Sequence, residues 1–102
     1  MYKMLLCCAA GMSTSLLVTK MEQYCQSQGI EAKIWAVPVA DFEKELPVDL
    51  IMLGPQIRYA AKTVKEAAGD IPVMSIDMRS YGRMDGESVV KKALELLAEK
   101  GA

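Results

Sequence analysis

Histidine is absent from this sequence. That removes the Ser-His-Asp triad, the Cys-His pair and the imidazole zinc ligand, and it leaves no side chain that ordinarily titrates near neutral pH. A nucleophile here must be activated by other means, such as a helix N-terminus or a cluster of backbone N–H groups. A charge excess is absent too: 12 basic residues stand against 13 acidic ones, a net charge of −1. No basic field addresses nucleic acid, and no acidic tail serves solvation. The longest apolar run, residues 4–12 with Gly11 inside it, is too short to span a bilayer. With only Lys3 ahead of it and Ser and Thr close behind, it also makes a poor signal peptide. Cysteine is scarce and odd in number: Cys7, Cys8 and Cys25. Three thiols, two of them adjacent, are no disulfide framework, so the chain reads as cytoplasmic with its cysteines reduced. Repeats, linkers and low-complexity segments are missing as well. What remains is 102 residues, 52% apolar and 25% charged, which bounds the protein to one domain over residues 1–102 with a well-filled core.

Short apolar runs alternate with longer amphipathic ones. Residues 3–8 (KMLLCC) read as a first strand. Residues 13–28 carry Leu17, Met21, Tyr24 and Cys25 at helical spacing, and Gly29 follows as a C-terminal stop. Residues 32–37 (AKIWAV) form a second strand closed by Pro38. Residues 39–46 read as a short helix or loop with Asp41 as its N-cap. Residues 48–53 (VDLIML) are a third strand ended by Gly54-Pro55. Ile57, Ala60, Ala61, Val64, Ala67 and Ala68 make one helical face closed by Gly69. Residues 71–76 (IPVMSI) are a fourth strand, where Pro72 suits an edge or a strand start. Val90, Ala93, Leu94 and Leu97 line a last helix with Asp85 at its N-cap.

Strands apolar throughout, rather than alternating, belong to a sheet covered on both faces. Right-handed crossovers then give an α/β fold: a four-stranded parallel sheet in the order 2-1-3-4, with helices on both faces. Its switch point falls between strands 1 and 3, and ligands bind beyond the carboxyl ends of the strands there. The loop after strand 1 (residues 8–13) therefore faces the loop after strand 3 (residues 54–57), with the loop after strand 4 (residues 77–82) beside them.

The strand 1 loop has the composition of an anion cradle. Cys8 is the last strand residue. Ala9, Ala10 and Gly11 are small enough for backbone N–H groups to turn inward, and Gly11 accepts the positive φ that such a nest needs. Met12 follows, then Ser13, Thr14 and Ser15 open the helix and offer cap or hydroxyl donors. A sulfur above a dianion cradle at the positive end of a helix favours the thiolate. A buried structural cysteine is the alternative for Cys8, and helix capping the alternative for the Ser-Thr-Ser run. Capping and anion binding use the same groups, so those two readings of the run are compatible. Cys7 points the other way along the strand and Cys25 lies on the inner stripe of helix 1; both are expected in the core. Neither GxxxxGK[ST] nor GxGxxG occurs, and strand 3 ends in Leu53-Gly54 without the acceptor Asp of a response regulator.

The stretch LLCCAAGMSTSLLVTKM closely resembles the phosphocysteine loop of enzyme IIB of the lactose/cellobiose (chitobiose) family in the bacterial phosphoenolpyruvate-dependent sugar phosphotransferase system. The family's loop pattern is C-[SA]-A-G-M-S-T-S. The resemblance continues through LGPQIRY at residues 53–59 and ID…YGRMDG at residues 76–86. It implies the four-stranded parallel fold and a phosphohistidine–sugar phosphotransferase component. Cys8 would accept a phosphoryl group from a IIA phosphohistidine and pass it to a sugar held by the membrane IIC permease. The resemblance also implies a cytoplasmic protein, peripheral to the membrane through IIC, whose transfer step uses no metal or organic cofactor of this chain. Cellobiose, chitobiose and lactose all remain open as the sugar.

A small Cys-loop phosphatase is the alternative enzyme, and a non-catalytic anion-binding domain the alternative binding module. Low-molecular-weight tyrosine phosphatases use a similar loop with a C-x5-R signature; counted from Cys8 the arginine position is Thr14, and from Cys7 it is Ser13. Without the guanidinium the strongest bidentate phosphate clamp is missing, which suits a carrier better than a hydrolase. The arginines are Arg58, Arg79 and Arg83, all expected on the Cys8 rim, where they steer an anionic partner or serve as ordinary surface charge. Gln56 offers an amide across the switch point, Tyr81 a cover for the phosphate or a partner contact, and Asp77 an acceptor that holds loop backbone. A monomer is expected, since no exposed apolar stripe is evident in the sequence.

Overall fold

The computed structural model describes residues 1–9 and 14–101, except for the side chains of Thr14 and Lys100. Four strands, β1 (Tyr2–Cys8), β2 (Ala32–Pro38), β3 (Leu50–Leu53) and β4 (Val73–Ser75), form one parallel sheet in the order β2-β1-β3-β4. β1 is central: Cys7 is in register with Val37 of β2 and with Leu53 of β3. Helices α1 (Thr14–Ser27), α2 (Ala61–Ala68), α3 (Met78–Gly82) and α4 (Gly86–Gly101) and two 3-10 segments, Val39–Glu45 and Pro55–Ala60, complete the order.

The sheet is apolar on both faces because it separates two cores. Successive β1 side chains point to opposite sides. Met4 and Leu6 pack with Leu17, Met21 and Cys25 of α1 and with Val89, Val90 and Ala93 of α4. Leu5 and Cys7 pack with Phe42, Ile57, Val64 and Ala68. One face is thus covered by α1 and α4, the other by α2 and the 3-10 segments.

The helix ends follow their local chemistry. α1 stops at Gly29, which takes φ 68°; the Gly29 N–H donates to the Gln26 carbonyl at 3.3 Å and the Ile30 N–H to the Cys25 carbonyl at 2.8 Å. This paired closure of the last turn needs a left-handed residue, which glycine supplies without strain. Asp85 caps α4, accepting the Ser88 N–H at 3.1 Å and the Ser88 hydroxyl at 2.7 Å.

Several local expectations are corrected. Asp41 is no N-cap: the 39–45 segment begins after Pro38 with no side-chain cap, and Asp41 lies inside it, 3.7 Å from Lys44 Nζ. The expected helix at residues 57–68 is split, because Pro55 opens a 3-10 turn and Ile57 leaves helical φ/ψ before α2 starts at Ala61. Ala67 is exposed, so the buried stripe is Ile57, Val64 and Ala68. β3 and β4 are shorter than their apolar runs. The loop expected after β4 holds the one-turn helix α3, started by Asp77, whose carboxylate accepts the Ser80 N–H at 2.9 Å.

Candidate functional site

β1 delivers its last residue, Cys8, to the carboxyl rim of the sheet between β2 and β3. The alternation of the strand turns Cys8 and Cys7 to opposite faces. Cys8 is 4% exposed, and its Sγ donates to the Val37 carbonyl at 3.7 Å. Cys7 is fully buried among the side chains on the α2 face. Burial first, then the electrostatic influence of the neighbouring Cys8, pushes the Cys7 thiol up to about 12. Of two adjacent sulfurs, Cys7 is therefore held as a thiol at neutral pH. Cys25 is also in the core, its thiol raised by burial and by Glu22. All three cysteines carry thiols rather than disulfides.

Of the residues expected to cradle an anion, Ala9 is an exposed bend residue, and Ser15 stands exposed in the first turn of α1, its carbonyl accepting from the Thr19 hydroxyl at 3.1 Å. Ala10, Gly11, Met12, Ser13 and the Thr14 side chain lie outside the described residues.

The loop after β3 closes against Cys8's strand, and the residue after β4 closes against β3. The Gly54 N–H donates to the Cys7 carbonyl at 3.0 Å, and the Ile76 N–H to the Leu53 carbonyl at 2.8 Å. A Cβ on Gly54 would stand 3.2 Å from Gln56 Oε1, 3.6 Å from the Cys7 carbonyl and 3.9 Å from the Tyr81 ring. Gly54 is the close-approach residue that lets Gln56 fold back toward the β1–β3 gap. Tyr81, expected over the phosphate or toward a partner, is only 7% exposed and belongs to the core beside α1 and α4. Its ring edge packs against the Gly54 rim. Asp77 spends its carboxylate on the first turn of α3; the Ser80 amide, then the Ser80 hydroxyl, hold it below the usual carboxylate range. Among the described residues, no three acidic or cysteine side chains converge to hold a metal ion.

Residues 3–92 match the family described as "PTS system, Lactose/Cellobiose specific IIB subunit". The oligo-beta-mannoside-specific EIIB component of Bacillus subtilis is 42% identical over 98% of this chain and all of its own length. The chain belongs to the lactose/cellobiose-specific IIB family of the phosphotransferase system. The cellobiose-specific EIIB component of Lactococcus lactis subsp. lactis is 37% identical over 90% of this chain and 93% of its own. The solution structure of a cellobiose-specific IIB component from Borrelia burgdorferi superposes with a TM-score of 0.81 at 35% identity, covering 97% of this chain and 94% of that one. A lactose-specific IIB domain from Streptococcus pneumoniae shares the fold with a TM-score of 0.81 at 19% identity, over 92% and 95% of the two chains.

As a IIB component the protein is a phosphotransferase working with IIA and IIC components of its system. Among the described residues, no helix of this IIB protein is long and apolar enough to cross a membrane. Its Cys8 rim carries a feature that the sequence reading missed. Leu16, Tyr59 and Met78 are 53%, 80% and 68% exposed. They sit in α1, in the 3-10 segment after β3 and at the start of α3, the elements that follow the carboxyl ends of β1, β3 and β4. Arg58, Arg79 and Arg83 are exposed on two of the same elements and their borders. Each apolar residue is ordinary alone; only the topology gathers them on one end of the sheet. The available signal was their position, three to eight residues after a strand end, on helix faces that no periodicity buries.

Proposed function

We propose that residues 1–102 act as one domain whose Cys8 carries the phosphoryl group between a IIA phosphohistidine and a sugar held by IIC. The observation that carries this reading is the division of the cysteine pair: Cys8 ends the central strand at the switch point, while Cys7 is turned into the core and kept protonated. Transfer is an in-line displacement. The Cys8 sulfur attacks phosphorus, the S–P bond forms, and the P–N bond breaks with its electron pair returning to the IIA imidazole. A sugar hydroxyl then attacks the same phosphorus, the O–P bond forms, and the S–P bond breaks with its electron pair returning to sulfur, which takes up the proton the hydroxyl releases. Such transfers require positioning and charge stabilisation more than covalent help. The N–H groups of residues 9–15 and the start of α1 supply that stabilisation, with Gln56 across the gap.

The rim serves both exchanges. Exposed Leu16, Tyr59 and Met78 give apolar anchors, and methionine's pliable side chain suits a surface used by two partners in turn. The arginines steer the anionic phospho-donor. Gln56 and Arg58 face the exchange, while Asp77 and Tyr81 hold the loop that frames it. The protein works as a monomer in the cytoplasm and reaches the membrane through IIC. Its relatives are named for oligo-β-mannosides, galactose and cellobiose at comparable similarity, which fits a sugar chosen by IIC; we place the substrate among cellobiose-, chitobiose- or lactose-type sugars.

The test is phosphoryl incorporation from labelled phosphoenolpyruvate through the general phosphotransferase proteins and the cognate IIA. Label is expected on wild-type protein and on Cys7→Ala, and none on Cys8→Ser. Label on Cys8→Ser, or rapid aryl phosphate hydrolysis by the wild type that Cys8→Ser abolishes, overturns the carrier assignment.

A further inference from the structure

At the far end of the sheet from the Cys8 rim, a cavity of about 340 Å³ is lined by Lys3, Lys33, Trp35, Lys44, Glu45 and Pro47. Lys3 and Lys33 are register partners on neighbouring strands, on the side of the sheet opposite Cys8. Strands are ~4.8 Å apart, and like charges placed across such a gap repel. Lys44 of the 39–45 segment adds a third ammonium from above. Two carboxylates lie nearby, Glu45 in the lining itself and Asp49 on the Lys3 backbone. Glu45 accepts the Trp35 indole N–H at 2.7 Å, and Asp49 accepts the Lys3 backbone N–H at 2.7 Å. Among the described residues, the ion pair these lysines make is Lys44–Asp41, at 3.7 Å and exposed. Lys33 Nζ lies 5.3 Å from the centre of the Trp35 ring, a contact that leaves its positive charge in place.

The charged side chains of the lining are three exposed lysines and one glutamate, a local excess of positive charge in a chain of net charge −1. An anion in the cavity offsets the repulsion among the lysines. The volume lies at the small end of ligand pockets, and the walls combine ammonium donors with an indole and a proline ring. We propose that this cavity binds a phosphate dianion, free or as the head group of a small organic ester whose carbon skeleton lies against Trp35 and Pro47. Lys3 is five residues from Cys8, about 16 Å along β1, so the site is separate from the transfer centre and does not rest on the carrier reading.

Trp35 is the sole tryptophan, so its fluorescence and its indole N–H resonance report on this cavity. Cys8→Ser protein is titrated at constant ionic strength with inorganic phosphate, with a hexose 6-phosphate and with the unphosphorylated hexose. The expected result is a saturable change in the millimolar range or tighter for the ester, weakened about tenfold in Lys33→Gln and in Lys44→Gln. The Lys44 variant changes no strand residue. Saturation by inorganic phosphate as well assigns the affinity to the phosphate group; saturation by the ester alone assigns it to the ester. No saturable change with either anion, the same change with the neutral hexose, or undiminished affinity in both variants overturns the proposal. None of these results bears on labelling of Cys8.

Discussion

Gly86 and Met21 approach so closely that a Cβ on Gly86 would lie 2.6 Å from the Met21 amide nitrogen, and 2.5 Å from the Lys20 carbonyl carbon. The first turn of α4 thus rests directly on the backbone of α1, the helix that leads out of the Cys8 loop. Gly86→Ala must push the two helices apart. It should destabilise the protein by about 2 kcal/mol, as overpacking of a fixed backbone contact does. Gly82→Ala is the control, since nothing lies within 4 Å of a Cβ there; it should be neutral or stabilise by up to ~1 kcal/mol. Urea midpoints at constant slope check both.

Cys7 should resist alkylation in the native state. Its thiol is buried and pushed up to about 12, so at pH 8 the thiolate is a vanishing fraction. Iodoacetamide should modify Cys7 only as fast as the protein unfolds, read by peptide mass spectrometry across a urea series. Modification of Cys7 in native buffer at a rate insensitive to urea would contradict its placement.

Arg58→Glu should slow IIA-to-IIB transfer about tenfold at low salt and flatten its dependence on ionic strength, because steering by a rim charge is screened by salt. Arg58 is exposed, so stability should move by less than ~0.5 kcal/mol. Stopped-flow or quench-flow transfer rates across a salt series provide the check.

Tyr59→Ser should lower transfer from IIA without harming the fold. The side chain is among the most exposed large apolar groups of the chain, and aromatic anchors dominate interfaces. A loss of about tenfold in kcat/KM with an unchanged Tm supports a docking role. An unchanged kcat/KM removes Tyr59 from the surface.

Asp77→Ala should cost about 1 kcal/mol at pH 7, the worth of an N-cap. The Asp77 carboxyl is held below its ordinary value in the folded protein. Its contribution is therefore complete above the unfolded value of about 4 and disappears as pH falls through the lower folded value. The gap between wild type and variant should close toward pH 2 in urea titrations.

The strands and their order were legible because both-face burial leaves a mark that survives without tertiary information: LLCC in β1 and LIML in β3 have no polar alternation. Gly29 and Gly69 were legible for a similar reason, since both take positive φ where a helix stops. Asp85 was recognisable as a cap from its place ahead of an apolar period. The misreadings came where a short element lacks a period. α3 is a single turn, and only the Asp77–Ser80 hydrogen bond marks it. Asp41 has the residue type of a cap, yet Pro38 and a 3-10 geometry place it inside the segment.

Sequence alone determined the chemistry on offer. With no histidine, one sulfur beside small and hydroxylic residues was the candidate nucleophile, and strand alternation already separated Cys7 from Cys8. Tertiary structure decided what surrounds that sulfur. It sank Tyr81 into the core, folded Gln56 over Gly54, gathered Leu16, Tyr59 and Met78 on one rim, and brought Lys3, Lys33 and Lys44 around Trp35 at the other end. The physical reason is range. Periodicity, capping and backbone preference act over a few residues and are written in the local sequence, whereas these groupings join residues tens of positions apart that become neighbours only when the sheet closes its register.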